Sequence, residues 1–237
     1  MKFWSKFSIL FFSVLICCGF LFFFFPQIDI KFSAYFYDPP GGFYLKNHPV
    51  CQFIYRSVEI IAVALSVGLP VLLLISVIFK TKFTSEFRKK MVYLIMALML
   101  GPGLLVNLIF KEHWGRARPD HIEQFGGSNR FTPAFVISRE CDRNCSFVSG
   151  HASVGFYLVS AAFLLKKNRK KGLVFAVAYG FIIGLVRIVQ GSHFISDVIF
   201  SFFFVFMVSN GLYFLMFHAK KPPLPDPHRR NHNFLSK

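Results

Sequence analysis

Charge is scarce in this chain, and negative charge scarcer still. Only 16% of its 237 residues are charged, and 11 acids face 27 lysines and arginines. There is no glycine-rich nucleotide loop, no heptad array and no internal repeat, which sets aside P-loop and dinucleotide folds, coiled coils and solenoids. The first apolar run lacks the Ala-x-Ala-like site of a cleaved signal peptide. It also lacks the small residue that would precede Cys17-Cys18 in a lipoprotein box. What fills the chain instead is apolar: 54% of residues, 34 of them Phe. The length suits one sizeable domain. Because the charges fall in blocks between long apolar runs, the composition describes a polytopic membrane protein. In a soluble protein a net charge of +16 would suggest nucleic acid. Here the basic residues flank apolar runs, so nucleic acid is not the expected partner.

A membrane-spanning helix needs about 20 mostly apolar residues. Six segments meet or approach this: Phe7–Phe25, Ser57–Phe79, Met91–Phe110, Phe147–Leu165, Gly172–Gln190 and Asp197–Phe217. The expected fold class is therefore all-α, a bundle of six transmembrane helices with the first retained. The N-terminal stub, the 80–90 loop, the Lys166–Lys171 run and the tail after Phe217 together hold 17 of the 27 basic residues. Their only acids are Glu86 and Asp226. The positive-inside rule puts these segments, and both termini, in the cytoplasm. One membrane domain is expected over 1–217, followed by a flexible, proline-rich basic tail over 218–237. The outer loop from Pro26 to about Arg56 turns sharply at Asp38-Pro-Pro-Gly-Gly42.

On this map the unusual polar residues gather at one membrane face. Lys111, Arg116 and Arg118-Pro119 follow the outer end of the third span. Ser149-Gly150-His151 opens the fourth. Arg187 ends the fifth, and His193 and Asp197 lie at the turn into the sixth. Ionisable residues at membrane depth are costly and face a bundle interior or a watery cavity. Lys111, Arg118 and Arg187 offer an ammonium and two forked guanidiniums to the oxygens of a phosphoryl group. Ser149 and the Gly150 N–H sit at a helix start, where an anion is favoured. His193 and Asp197, four residues apart, share a face if the sixth helix begins there. A carboxylate on one imidazole nitrogen leaves the other free to attack. Arg116 reads as an interfacial anchor and stays outside this set, and Glu112 and His113 read equally well as solvated loop residues. A metal held by His151, His193 and Asp197 is disfavoured, because the surrounding cations would repel it. No cofactor is expected.

These residues resemble the three-part pattern of the type-2 phosphatidic acid phosphatase superfamily. Lys111-Glu-His-Trp-Gly-Arg-Ala-Arg118-Pro119 matches Lys-x6-Arg-Pro in full. Val148-Ser149-Gly150-His151 matches Pro-Ser-Gly-His apart from Val148, and Val186-Arg187-x5-His193-x3-Asp197 matches Ser-Arg-x5-His-x3-Asp apart from Val186. The resemblance covers roughly residues 91–217. It implies that His193 attacks phosphorus, oriented by Asp197, that His151 handles the leaving-group proton, and that Lys111, Arg118, Ser149, Gly150 and Arg187 hold the phosphoryl oxygens. A narrower resemblance runs through Gly101-Pro-Gly-Leu-Leu-Val-Asn107, Cys141-Asp-Arg-Asn-Cys145 and Gly191-Ser-His193-Phe-Ile-Ser-Asp197. These stretches look like bacterial lipid A 4′-phosphatases. That resemblance implies a metal-free enzyme at the periplasmic face of the inner membrane, acting on a phosphorylated lipid, where a Cys141–Cys145 disulfide could persist. Undecaprenyl diphosphate, phosphatidylglycerophosphate, phosphotransfer to another lipid and a non-catalytic membrane role stay open as alternatives. No feature of the sequence specifies an oligomeric state.

Overall fold

The structure is a computed structural model that describes residues 2–39, 41–79 and 83–218. The basic tail expected over 218–237 lies, after His218, outside the described residues, as do Lys80 and Lys82 of the 80–90 loop. The first helix, α1 (Lys2–Phe24), is followed by a short α2 (Gln27–Ala34) and a two-stranded hairpin, β1 (Tyr37–Asp38) with β2 (Gly42–Phe43). The long α3 (Pro49–Ile78) comes next. Then α4 (Ser85–Leu98) runs into a π-helical stretch, Met99–Phe110, and a last turn, α5 (Lys111–His113). A loop with two 3₁₀ turns leads to α6 (Gly150–Phe156), α7 (Leu158–Phe163), α8 (Arg169–Val189) and α9 (Ile195–Phe217).

Local chemistry sets these boundaries. Pro49 opens α3, where its missing N–H costs nothing. Thr84 caps α4 by accepting from the Phe87 N–H at 3.1 Å, and Glu86 pairs with Lys90 one turn on. The widened π stretch contains Pro102, which supplies no N–H to the ladder. The Asn107 side-chain amide donates to the Pro102 carbonyl at 2.7 Å.

Among the described residues four helices are long and apolar enough to cross a membrane: Pro49–Ile78, Ser85–His113, Arg169–Val189 and Ile195–Phe217. Ile9–Phe24 with Gln27–Ala34 forms a fifth candidate, bent by 82° at the break. The sixth expected span, Phe147–Leu165, is not a single helix. It starts only at Gly150 and breaks at Tyr157 into pieces of 7 and 6 residues. At 1.5 Å per residue these reach about 20 Å, short of the roughly 30 Å hydrocarbon layer. Its hydrophobicity serves the interior, since Ala152, Phe156, Val159 and Phe163 are all buried by neighbouring helices. A segment wrapped in protein has no need to reach both membrane surfaces. By contrast α3 turns Ile60, Val63, Val67, Leu74 and Ile78 outward, the face a lipid-contacting helix presents.

Small residues let the helices that matter approach closely. A Cβ at Gly155 of α6 would lie 2.9 Å from the Gly180 Cα of α8, and one at Gly184 of α8 would lie 2.2 Å from the Val198 side chain of α9. Backbone contact through small residues is the usual packing device where no water drives association. Buried hydroxyls add cross-links: Ser160 to Ser209 at 2.7 Å, Tyr93 to the Ser209 carbonyl at 3.0 Å and Ser201 to the Ser149 carbonyl at 2.9 Å. Phe11 stacks on Phe206 and Phe22 meets Phe200, so α1 runs antiparallel to α9 and ends beside its start. The ends of α1, α5 and α8 and the starts of α3, α6 and α9 therefore share one end of the bundle. The Lys166–Lys171 segment lies at the other.

Candidate active site

Backbone hydrogen bonds knit the polar end together. The loop after α5 pairs with the segment before α6 through Cys145 N–H to the Lys111 carbonyl (3.0 Å) and Ser146 N–H to the Arg116 carbonyl (2.9 Å). Asp120 N–H reaches the Gly191 carbonyl at 2.9 Å, and Ser149 N–H reaches the Asp197 carbonyl at 3.1 Å. Gly191 has φ of 73°, which a glycine adopts without strain, and a Cβ there would strike the Phe43 ring. The turn from α8 into α9 is thereby folded under the hairpin, with His193 facing inward.

His193 is 1% exposed. Its Nδ1 lies 2.8 Å from the Ser146 carbonyl oxygen. A carbonyl only accepts, so Nδ1 carries the ring proton and Nε2 keeps its lone pair. Burial, with Lys111 and Arg118 nearby, pushes the His193 pKa down to about 3 against the pull of Asp197, which leaves the ring neutral. Asp197 Oδ2 stands 3.6 Å from Nδ1, near enough to stabilise positive charge but beyond a hydrogen bond. The orienting partner that sequence spacing assigned to Asp197 is thus the Ser146 carbonyl. Asp197 itself accepts from Ser146 Oγ (2.5 Å) and the Phe194 N–H (2.8 Å), and so caps α9 as well.

The other oxygen of Asp197 is held by Arg116 at 2.5 Å. Arg116 is fully buried and bonds Asp29 of α2 (2.8 Å), Ser196 Oγ (2.9 Å) and the Thr132 carbonyl (2.9 Å). This overturns its reading as an interfacial anchor. Burial opposes its charge, but Asp197 and Asp29 more than offset that and hold its pKa above the ordinary range. Asp29 is equally buried and also accepts from the Ser196 N–H and hydroxyl at 3.0 and 2.7 Å. Neither partnership has a signal in local sequence, since Asp29 and Arg116 are 87 residues apart.

Around His193 the expected cations converge. Lys111, 8% exposed, donates from Nζ to Asn144 Oδ1 at 2.6 Å, and the partly exposed Arg118 donates to the Asn144 carbonyl at 2.8 Å. Asn144 sits inside the five-residue loop closed by the Cys141–Cys145 disulfide. Arg187, 7% exposed, bonds Gln190 Oε1 at 2.5 Å and leaves its Nε without a partner. His151 feels the charges of Arg187, His193, Lys111 and Arg118, so all four lie within electrostatic reach of it. Its buried Nε2 has no hydrogen-bond partner either. Ser149 caps α6, accepting from the Ala152 N–H at 3.4 Å, and keeps its hydroxyl proton to give. Gly150 packs beneath the clamp, because a Cβ there would lie 3.3 Å from Lys111 Nζ. Tyr55 and Glu59 of α3, which no motif contains, also reach this space. The Tyr55 ring stacks on His151 with centroids 4.5 Å apart, and Glu59 Oε1 is 3.9 Å from His151 Nε2. Among the described residues no three His, Cys, Asp or Glu side chains converge as metal ligands do.

Such a site, two imidazoles in a ring of cations, is chemically suited to a phosphoryl group. The comparisons with known proteins agree with it. The chain is 39% identical over 213 residues to the lipid A 4′-phosphatase of Francisella tularensis subsp. novicida (strain U112), covering 87% of this chain and 96% of that one. It is 34% identical over 191 residues to a lipid A 4′-phosphatase of Rhizobium leguminosarum, covering 74% and 81%. Phosphatidylglycerophosphatase B of Bacillus subtilis (strain 168) is 29% identical over 121 residues, about half of each chain. No solved structure matches significantly. The PAP2 superfamily model matches residues 91–221, which takes in Lys111, Arg118, His151, Arg187, His193 and Asp197. With more than half of its length matched in this way, the chain belongs to the PAP2 superfamily and is a membrane phosphatase.

Proposed function

We propose that the protein is a metal-independent lipid phosphate monoesterase, a lipid A 4′-phosphatase, working through a phosphohistidine at the periplasmic face of the inner membrane. The observation that carries the chemistry is the His193 ring. Its Nδ1–H is committed to the Ser146 carbonyl, and the ring, with Nε2 free, feels the charges of Lys111 and Arg118. In the reading, Nε2 attacks phosphorus in line with the departing lipid oxygen. The three cations and the Ser149 hydroxyl take the equatorial oxygens and their growing charge, the work a metal does elsewhere. Asp197 stabilises the phosphorylated, positively charged ring. His151 gives its proton to the leaving oxygen, then takes one from the water that releases phosphate. The choice of lipid A is supported by the Francisella and Rhizobium relatives, which match along most of their length. The shorter Bacillus match favours phosphatidylglycerophosphate as the second reading.

The periplasmic assignment is supported by charge. The basic 166–171 segment lies at the end of the bundle opposite His193, and the positive-inside rule sends that end, with both termini, to the cytoplasm. The test is phosphate release by detergent-purified protein from 4′-phosphorylated lipid A, phosphatidylglycerophosphate and undecaprenyl diphosphate, with and without chelator. The expected result is chelator-resistant release from lipid A that His193→Ala abolishes. Release that persists in a well-folded His193→Ala protein would refute the nucleophile.

A further inference from the structure

The three motifs fall within residues 91–217, yet one wall of the site comes from α3, outside them. Tyr55 and Glu59 are four residues apart and share a face of that helix. The Tyr55 ring contacts two groups the mechanism uses. His151 stacks on it at 4.5 Å and 23°, and the Arg187 guanidinium sits over it at 4.6 Å. The Tyr55 hydroxyl lies within electrostatic reach of Glu59. Glu59 Oε1 in turn stands 3.9 Å from the unpartnered His151 Nε2, within ion-pair range but not replacing a hydrogen-bond partner there. A carboxylate inside a long apolar helix is costly and implies a function.

Charge around His151 says what that function is. The groups facing it are Arg187 from α8, His193 from the turn before α9, Lys111 from α5 and Arg118 from the following loop. All four are cations or a neutral ring, and all disfavour a proton on His151. Glu59 of α3 is the one carboxylate paired with it among the described residues. A leaving-group acid must hold a proton at the start of each cycle and regain one at its end. We propose that Glu59 is the counter-ion of protonated His151, and that Tyr55 holds His151 and Arg187 in register, a positioning pair supplied by α3. The inference rests on the proposed role of His151 as proton donor. No net proton is consumed: His151 gives one to the leaving oxygen and receives one from the attacking water.

The test is Glu59→Gln in the full-length protein, with Tyr55→Phe as a second variant that keeps the stack but loses the hydroxyl. Glu59 is half exposed, so its replacement leaves the fold intact. Removing the counter-ion lowers the pH at which His151 loses its proton. The alkaline limb of kcat/KM therefore moves to lower pH. Turnover of a phosphate ester with a poor alkyl leaving group falls about tenfold while an activated aryl phosphate is nearly unaffected. Tyr55→Phe shifts the limb in the same direction by less. An unmoved pH profile, or equal losses on both esters, overturns the inference. NMR titration of the His151 ring without substrate reads the ion pair directly. A midpoint unchanged by Glu59→Gln overturns the inference even if the phosphatase reading stands. A Glu59-dependent midpoint in a protein lacking His193-dependent turnover counts against the phosphatase reading alone.

Discussion

Replacing Arg116 by Met removes a guanidinium that touches neither the predicted phosphate position nor His193. It sits at 0% exposure between Asp29 and Asp197, with bonds of 2.8 and 2.5 Å. Without it two buried carboxylates lose their common counter-charge. Breaking a buried pair on one side costs about 3–5 kcal/mol. That is a large share of the roughly 5–15 kcal/mol that holds a typical domain together. In a chain of this length it corresponds to a fall in melting temperature on the order of 10 °C. Activity should fall further than stability, because Asp197 also fixes Ser146, whose carbonyl aims His193. A displacement of about 1 Å at such a group costs on the order of a hundredfold in rate. The assay is a melting curve and kcat for Arg116→Met, Asp29→Asn and the double variant. Asp29 touches the catalytic groups only through Arg116 and Ser196. The double variant should therefore be less impaired than the two single effects summed, with a coupling of about 0.5–3 kcal/mol. Additive effects, or an Arg116→Met protein with wild-type melting and turnover, would refute the reasoning.

Acid should weaken the protein through His193. In the unfolded chain this ring takes a proton near pH 6.5, whereas burial holds the folded pKa near 3. The unfolded state binds the extra proton between those values, so stability falls as pH drops from about 6.5 toward 3 and is untouched above it. His193→Gln should flatten that acid slope in melting curves taken at pH 7 and pH 5. Reducing agent should raise KM more than it lowers kcat, because the Cys141–Cys145 loop carries Asn144, the partner of both Lys111 and Arg118. Cys141→Ser with Cys145→Ser should reproduce the effect and abolish its response to reductant; a reductant effect that survives the double variant would place its origin elsewhere.

The local parts of this architecture are legible in the chain because they depend on spacing. Lys111 and Arg118 end one helical run, His151 and Asp197 open two others, and alternating span direction brings them to one face. Hydropathy reads less well over 147–165, where burial in protein and burial in lipid demand the same side chains. There the expected span is two short helices. Long-range electrostatics leave no local trace at all. Arg116 reads as an interfacial anchor from its own stretch of sequence, because its partner Asp29 lies 87 residues away on a helix folded across the bundle end. Tyr55 falls in the expected outer loop and Glu59 near the start of the apolar run over 57–79, and no motif marks either position.

The most direct test of the central claim is mass spectrometry of lipid A from cells with the gene, without it, and with His193→Ala in its place. The expected result is loss of one phosphate, from the 4′ position on the distal glucosamine, only where His193 is intact. Lipid A that keeps its 4′-phosphate in cells making the wild-type protein would contradict it.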